Sequence, residues 1–414
     1  MKFAEFLIKN KTNNYIGIAC FLFFGFFLVF KNAYSISLGL LILIISLNFK
    51  NLFNSEKSNE AKKISFYFIV LGIVWSHSFD GWISWTDEGD FFLRYGFGAF
   101  ILIMLGSMGI DKKFIFYGMA CGAIFSGIYA IFQYPVMGRA EGYTNAIRFG
   151  NIALLMSVFL MVFTISIRQF NWKTVFFFVS IVMGFLASFL SLSRGGWLLL
   201  LIIPFLFIFL FDGIKRKLNA FSVLLIITFI SISVLSQFSF LQNRVNLAQQ
   251  EVQGYFESKE NFVESSVGAR LEQWSIAWKM GIEKPFFGWG DKGFFVEREK
   301  MVERGEAHPS ALNLPHTHHD FLEMWATRGF LGILFLLYVY IYPIYVFYPT
   351  KNKLIKFEEG NRNAALAFYF SGCILPVSYF VFGLTDMFFN LTIGHVFMIF
   401  SMIFIIFSIN GLKK

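Results

Sequence analysis

Charge is scarce in this chain. Asp, Glu, Lys and Arg make up 15% of its 414 residues, against roughly 25% in an ordinary soluble domain. Cysteine is scarcer still, with 3 in all. Cys20, Cys121 and Cys373 lie far apart, each inside an apolar run. They make no CxxC pair, which argues against a disulfide framework or a thiolate zinc site. HExxH and Walker elements are absent as well, so neither a zincin nor a P-loop enzyme is indicated. No small-residue cleavage site follows the first apolar run, which therefore reads as a retained span and not a removed signal peptide.

What fills the chain is apolar. Hydrophobic residues reach 57%, with 59 Phe, and the mean hydropathy is +0.62. Such a chain cannot hide its apolar side chains in one aqueous core, so a multi-pass, all-α membrane protein is expected. About twelve candidate spans follow, near 14–31, 34–49, 64–79, 92–110, 114–134, 149–167, 174–192, 196–212, 218–236, 328–348, 364–383 and 387–410. Several are shorter than the roughly 20 residues that cross hydrocarbon, so tilted or broken helices are expected among them.

The net charge of +9 does not require a nucleic-acid partner. With the N-terminus in the cytoplasm, the segments on that side hold most of the Lys and Arg. They include Lys2, Lys9 and Lys11, then Lys57, Lys62 and Lys63, Lys112 and Lys113, Lys215 to Lys217, and Lys351 to Arg362. The short loops opposite hold only Lys31, Arg94, Arg139, Arg148 and Arg194. This asymmetry places both termini in the cytoplasm and accounts for the basic balance.

The reading is of one membrane domain, 1–414, with a single large extracytoplasmic loop over 237–327 between spans 9 and 10. Its stretch RVNLAQQEVQGYFESKENF reads as an amphipathic helix and a polar loop. GARLEQWSIAWKMGIE reads as a second helix, with Leu271, Trp274, Ile276, Ala277 and Trp278 available for its apolar side, stopped by KPFFGWG. A loop of this length is usually functional or disordered, and its aromatic and Gly content speaks against disorder.

Polar residues at the extracytoplasmic ends of spans need a reason. Arg194 in SLSRGGWLLL has almost no loop around it. It is either a snorkelling arginine or a bidentate phosphate ligand beside a helix N-terminus. Arg270 falls in a first helical turn, where the dipole disfavours a cation; the plain reading is a solvated surface arginine. Arg139 and Arg148 in GRAEGYTNAIRFGN are two more cations on that side. Asp386 in GLTDMFFN is a functional carboxylate at membrane depth or an N-cap. His77 and His395 read as packed or interfacial.

HTHHDFLEMWATRG, residues 316–329, gathers three of the six histidines and an aspartate. It allows a metal site, a general base or transition-state stabiliser, a helix-capping loop, or a pH sensor. His316 with His319 or Asp320 has helical spacing, but Pro315 and Thr317 delay the helix and no second ligand cluster is evident. A histidine of ordinary pKa suits acid–base work at such a face.

Taken in order, SLSRGGWL, GARLEQWSIAWKMGIEKPFFGWGDKGF and HTHHDFLEMWATRGFLGILFLL resemble the three motifs of the bacterial O-antigen ligase and polymerase family. That family also includes some protein O-oligosaccharyltransferases. The likeness runs from about residue 135 onward, with GRAEGYTNAIRFGN and GLTD as weaker matches. It implies a lipid-linked-glycan glycosyltransferase bundle (GT-C-like) in the bacterial inner membrane, with a periplasmic site. It also implies an undecaprenyl-diphosphate-linked glycan as donor and lipid A–core as acceptor, with no cofactor. By residue matching, His318 takes the family's essential histidine position, Arg194 and Arg270 the two essential arginines, and Asp386 an acidic position. Arg139 and Arg148 become helpers at the diphosphate; His316 and Asp320 become supports. No DxD-like motif lies near these residues, so metal-independent inverting transfer is the expectation. His319 stands where the family usually has Asn. A polymerase would take another lipid-linked glycan as acceptor, a protein glycosyltransferase Ser or Thr, and a flippase would bind the same diphosphate without chemistry.

Overall fold

The computed structural model describes residues 2–76, 87–167, 172–207, 239–390 and 392–413. All regular structure among them is helical. The long helices are α1 (Lys2–Phe26), α2 (Ala33–Phe53), α3 (Asn59–Ser76), α4 (Asp87–Leu105), α5 (Lys112–Met137), α6 (Ala146–Ile167), α7 (Trp172–Leu190) and α8 (Arg194–Phe207). After 208–238 come α9 (Ser239–Glu257), α10 (Gly268–Glu283), α11 (Gly290–Glu303), α12 (Asp320–Phe347), α13 (Glu359–Gly383) and α14 (Thr392–Leu412). Eleven of the twelve expected spans fall on these helices; the one expected at 218–236 lies outside the described residues. Seven of the described helices (α2, α5, α6, α7, α12, α13 and α14) are long and apolar enough to cross a membrane. The chain is a polytopic, all-helical membrane protein.

The phenylalanines explain how apolar helices choose neighbours without a hydrophobic drive between them. In lipid, association rests on close packing. α14 is the most enclosed span, and its Phe397, Phe400 and Phe404 interlock with Phe23 and Phe24 of α1. α5 approaches α1 at Gly122, where a Cβ would lie 2.1 Å from the Phe24 carbonyl oxygen. α5 is bounded as its sequence requires. The Asp111 carboxylate accepts the Lys113 N–H at 2.9 Å, and Gly138 ends the helix with φ +72°.

The bundle has two unlike ends. At one, Asn410 donates to the carbonyls of Gly106 and Met108, and Asn361 to that of Leu412. There too Glu60 accepts the Tyr369 hydroxyl and pairs with Lys413. The lysines near positions 57–63, 112–113 and 351–356 therefore share this end. The starts of α6, α8 and α12 lie at the other, together with Asp386.

The residues from α9 to the start of α12 form a small folded unit. Ile276, Ala277, Met280, Phe294, Met301 and Ala307 pack together, closed by Ala326 of α12. Several of its buried polar groups are matched. Glu272 accepts from the Tyr255 hydroxyl and the His308 N–H, and Arg298 donates to Gln273 and the Leu314 carbonyl. The helix expected over GARLEQWSIAWKMGIE is present as α10 and stops at KPFFGWG. Its inner face differs from the expected one. Glu272, Gln273 and Met280 are buried beside Ile276 and Ala277, while Trp278 is 56% exposed. Paired polar atoms can turn inward, which the apolar pattern alone does not foresee.

Candidate functional site

Three arginines from distant parts of the chain each stand in the first turn of a helix: Arg148 in α6, Arg194 in α8 and Arg270 in α10. These turns converge on one carboxylate. Asp386 lies close enough to both Arg148 and Arg270 for their charges to act on each other, and Arg270 in turn feels Arg194. A cation in a first turn opposes the helix dipole, and burial adds to the cost. The Arg270 guanidinium is held below its ordinary pKa chiefly by burial, then by Arg194, against the pull of Asp386. Three helix N-termini, each carrying an arginine, make a strongly anion-attracting concavity.

The turn before α8 is tightly built. A Cβ on Gly195 would lie 2.0 Å from Thr385 Oγ1, and one on Gly196 would lie 2.2 Å from Asn151 Oδ1. Only a side chain of hydrogen lets this turn rest against both α6 and the Thr385–Asp386 turn. Asn151 is fully buried, and the Ser193 hydroxyl reaches its Oδ1 at 3.4 Å. Arg194 itself is exposed. It lines an open cleft of about 530 Å³ together with Ala248, Gln249, Val252 and Gln253 of α9.

The histidine stretch folds as a strapped loop leading into α12. Its strap is Trp274, whose indole N–H donates to the Thr317 carbonyl at 2.9 Å. The spacing Arg270-x-x-x-Trp274 puts both side chains on one face of α10, one at the anion site and one on the loop. Glu323 reaches back to accept the Thr317 N–H, also at 2.9 Å. His319 is the N-cap of α12, its Nδ1 accepting the Leu322 N–H. That is a task Asn performs well, so the departure from the family's Asn keeps the capping function.

His318 is held in the left-handed region, φ +54°. Among the described residues the only other non-glycine with positive φ is Leu192, φ +58°, two residues before Arg194. Both strained residues thus sit in the turns that present site side chains, where such strain is concentrated. The His318 Nδ1 lies 3.1 Å from Asp386 Oδ1, with the histidine side chain 19% and the aspartate 4% exposed. Burial raises the Asp386 carboxyl, but the His318 hydrogen bond, both histidines and Arg148 outweigh it and hold the acid below its usual range. An ionised carboxylate only accepts, so Nδ1 carries a proton; in the neutral ring the lone pair is then on Nε2. His316 stacks edge-on against His318 at 4.2 Å and accepts its backbone N–H. Burial, then His318, lowers the His316 pKa to about 4, so this ring stays neutral.

The structure therefore brings together His316, His318, Asp386, Arg148, Arg194 and Arg270. Arg139 is engaged elsewhere, with Glu141 at 2.9 Å. Asp320 turns away from His318 into the seam with α13, where it accepts the Tyr340 hydroxyl and the Phe389 N–H. His395 is packed, fully buried with its Nδ1 2.5 Å from the Tyr95 hydroxyl; His77 lies outside the described residues. Donor atoms of His316, His318 and Asp386 fall within 4.8 Å of one another. The third donor comes from a turn far along the chain and not from within the histidine stretch. A divalent ion would share this space with Arg148 and Arg270, which favour an anion. Glu323, Asn151 and Thr385 are not singled out by the sequence, and Trp274, read there as part of the apolar side of its helix, is instead the strap on the histidine loop.

Residues 178–337 match the family model described as O-antigen ligase. An uncharacterized protein of Haemophilus influenzae is 29% identical over 317 residues, which cover 75% of this chain and 78% of that protein.

Proposed function

The chain belongs to the O-antigen ligase family, and from that premise we propose that it moves a glycan from undecaprenyl diphosphate to a sugar hydroxyl of lipid A–core. The observation that carries the reading is the pairing of His318 with Asp386 beside three helix-borne arginines. Each part answers one need of the transfer. Asp386 fixes the His318 tautomer, and the free Nε2 takes the proton of the acceptor hydroxyl. The hydroxyl oxygen bonds to the anomeric carbon as the bond from that carbon to the phosphate oxygen breaks. The electron pair leaves with the diphosphate, where Arg148, Arg194 and Arg270 meet the developing charge. One displacement inverts the anomeric centre, and the diphosphate linkage supplies the driving force without a metal. The cleft beside Arg194 takes the donor's head group, and grooves between spans take its polyprenyl chain. The site end faces the periplasm of the bacterial inner membrane and the lysine-rich end faces the cytoplasm, in keeping with positive residues inside. The unit from α9 to α12 then lies in the periplasm, above the site.

A gel of lipopolysaccharide from a deletion strain tests the reading. Loss of a ligase removes all O-antigen from lipid A–core, the single-unit band included. A retained single-unit band would point to a polymerase, and an unchanged profile in a strain that makes O-antigen to another acceptor class, such as protein Ser or Thr.

A further inference from the structure

The turn KPFFGWG, between α10 and α11, belongs to none of the site groups described above, yet it is pinned to α12 at the point where that helix breaks. Gly329 there has φ 60° and ψ −150°. The Phe330 N–H donates to the Pro285 carbonyl at 2.7 Å, and the Trp289 N–H to that of Ala326 at 2.9 Å. A Cβ on Gly288 would lie 2.4 Å from the Arg328 nitrogen, so the turn is wedged against the break.

Below the break, α12 exposes Phe330, Leu334, Leu337, Ile341 and Tyr345. These recur every three or four residues, the stripe of a span turned to lipid. Phe286 and Phe287 are 68% and 57% exposed, and they sit at the outer head of that stripe. On α10, Trp278 and Ile282, each 56% exposed, prolong the apolar surface, with Trp278 against Trp325 at 6.1 Å between ring centroids. Exposed Lys279 and Lys284 flank it. Aromatic rings at the mouth of a span, with lysines beside them, have the composition of a headgroup-level belt.

We propose that Trp278, Ile282, Phe286 and Phe287 form an interfacial anchor that dips into the lipid leaflet at the site end of the bundle. The occupant is the bilayer because the surface continues the lipid-facing stripe of α12. One consequence concerns Arg270, which rides on the anchored helix: its guanidinium is held at the depth where lipid-borne phosphates lie.

The test uses the full chain with its three cysteines replaced by alanine, reconstituted in phospholipid vesicles. Nitroxides are attached one at a time at Phe286→Cys, Phe287→Cys, Trp278→Cys and, as a solvent control, Glu303→Cys. Collisional relaxation should show the first three open to oxygen and several-fold shielded from a water-soluble nickel chelate relative to position 303. Nickel access equal to that at 303 would overturn the proposal, and so would shielding from both agents, the mark of a protein-covered face. Trp278→Cys provides an independent position should the turn not tolerate a label. The readout needs no glycan transfer, so it stands or falls apart from the proposed reaction.

Discussion

His318 has little freedom: a left-handed backbone and one carboxylate fix where its Nε2 points. His318→Ala should lower transfer by about 10²–10⁴-fold, the usual worth of a positioned acid–base group, and Arg270→Ala should abolish it. Both proteins should still insert, as membrane fractionation and an in vitro transfer assay would show. Full activity in either would remove that residue from the mechanism. His319→Asn should be tolerated, since Asn also caps, whereas His319→Ala should cost about 1 kcal/mol of stability, read from the melting temperature. Acid should loosen the site for two reasons of the same sign. His316 is held low, at about 4, so the folded state binds fewer protons than the unfolded one at mildly acid pH. Its contribution is complete above pH 6.5 and is lost as pH falls toward 4. Asp386 is also held low, and its contribution disappears as pH falls through its folded value. Melting temperature should fall over this range, and less steeply in His316→Gln.

The helices explain why these side chains meet. Arg148, Arg194 and Arg270 are far apart in sequence, but each opens a helix, and these three starts meet around Asp386. The SRGG turn makes a tight joint here. Gly195→Ala would push into Thr385 and, through it, displace Asp386; overpacking of this kind costs about 1–3 kcal/mol. Transfer should drop at least about tenfold while expression is retained, whereas Lys300→Ala on the exposed side of α11 should change nothing measurable. Much of this was legible beforehand. Helices could be placed from long apolar runs, and α10 was bounded by its own Pro and Gly. Its buried face was not, because Glu272 and Gln273 turn inward only where Tyr255, His308 and Ala311 stand ready to bond them.

For the whole molecule, the separation of a lysine-rich end from an arginine–histidine end is the dominant feature. It predicts sidedness. In spheroplasts, a membrane-impermeant thiol reagent should label Lys300→Cys, exposed on α11, and spare Lys113→Cys until the membrane is permeabilised. Reversed labelling would invert the orientation and remove the periplasmic reaction with it.

Composition and charge distribution by themselves determined that this is a helical, polytopic membrane protein, because apolar length and lysine placement are local properties of the chain. The ordered motifs went further and picked out Arg194, Arg270, His318 and Asp386. Only the tertiary structure decided which of the candidates act together. It joined His318 to Asp386 across 68 residues, drew Arg148 in, left Arg139 with Glu141, and turned Asp320 into a helix seam. Burial and helix packing set those distances, and neither is a property of any one stretch of sequence.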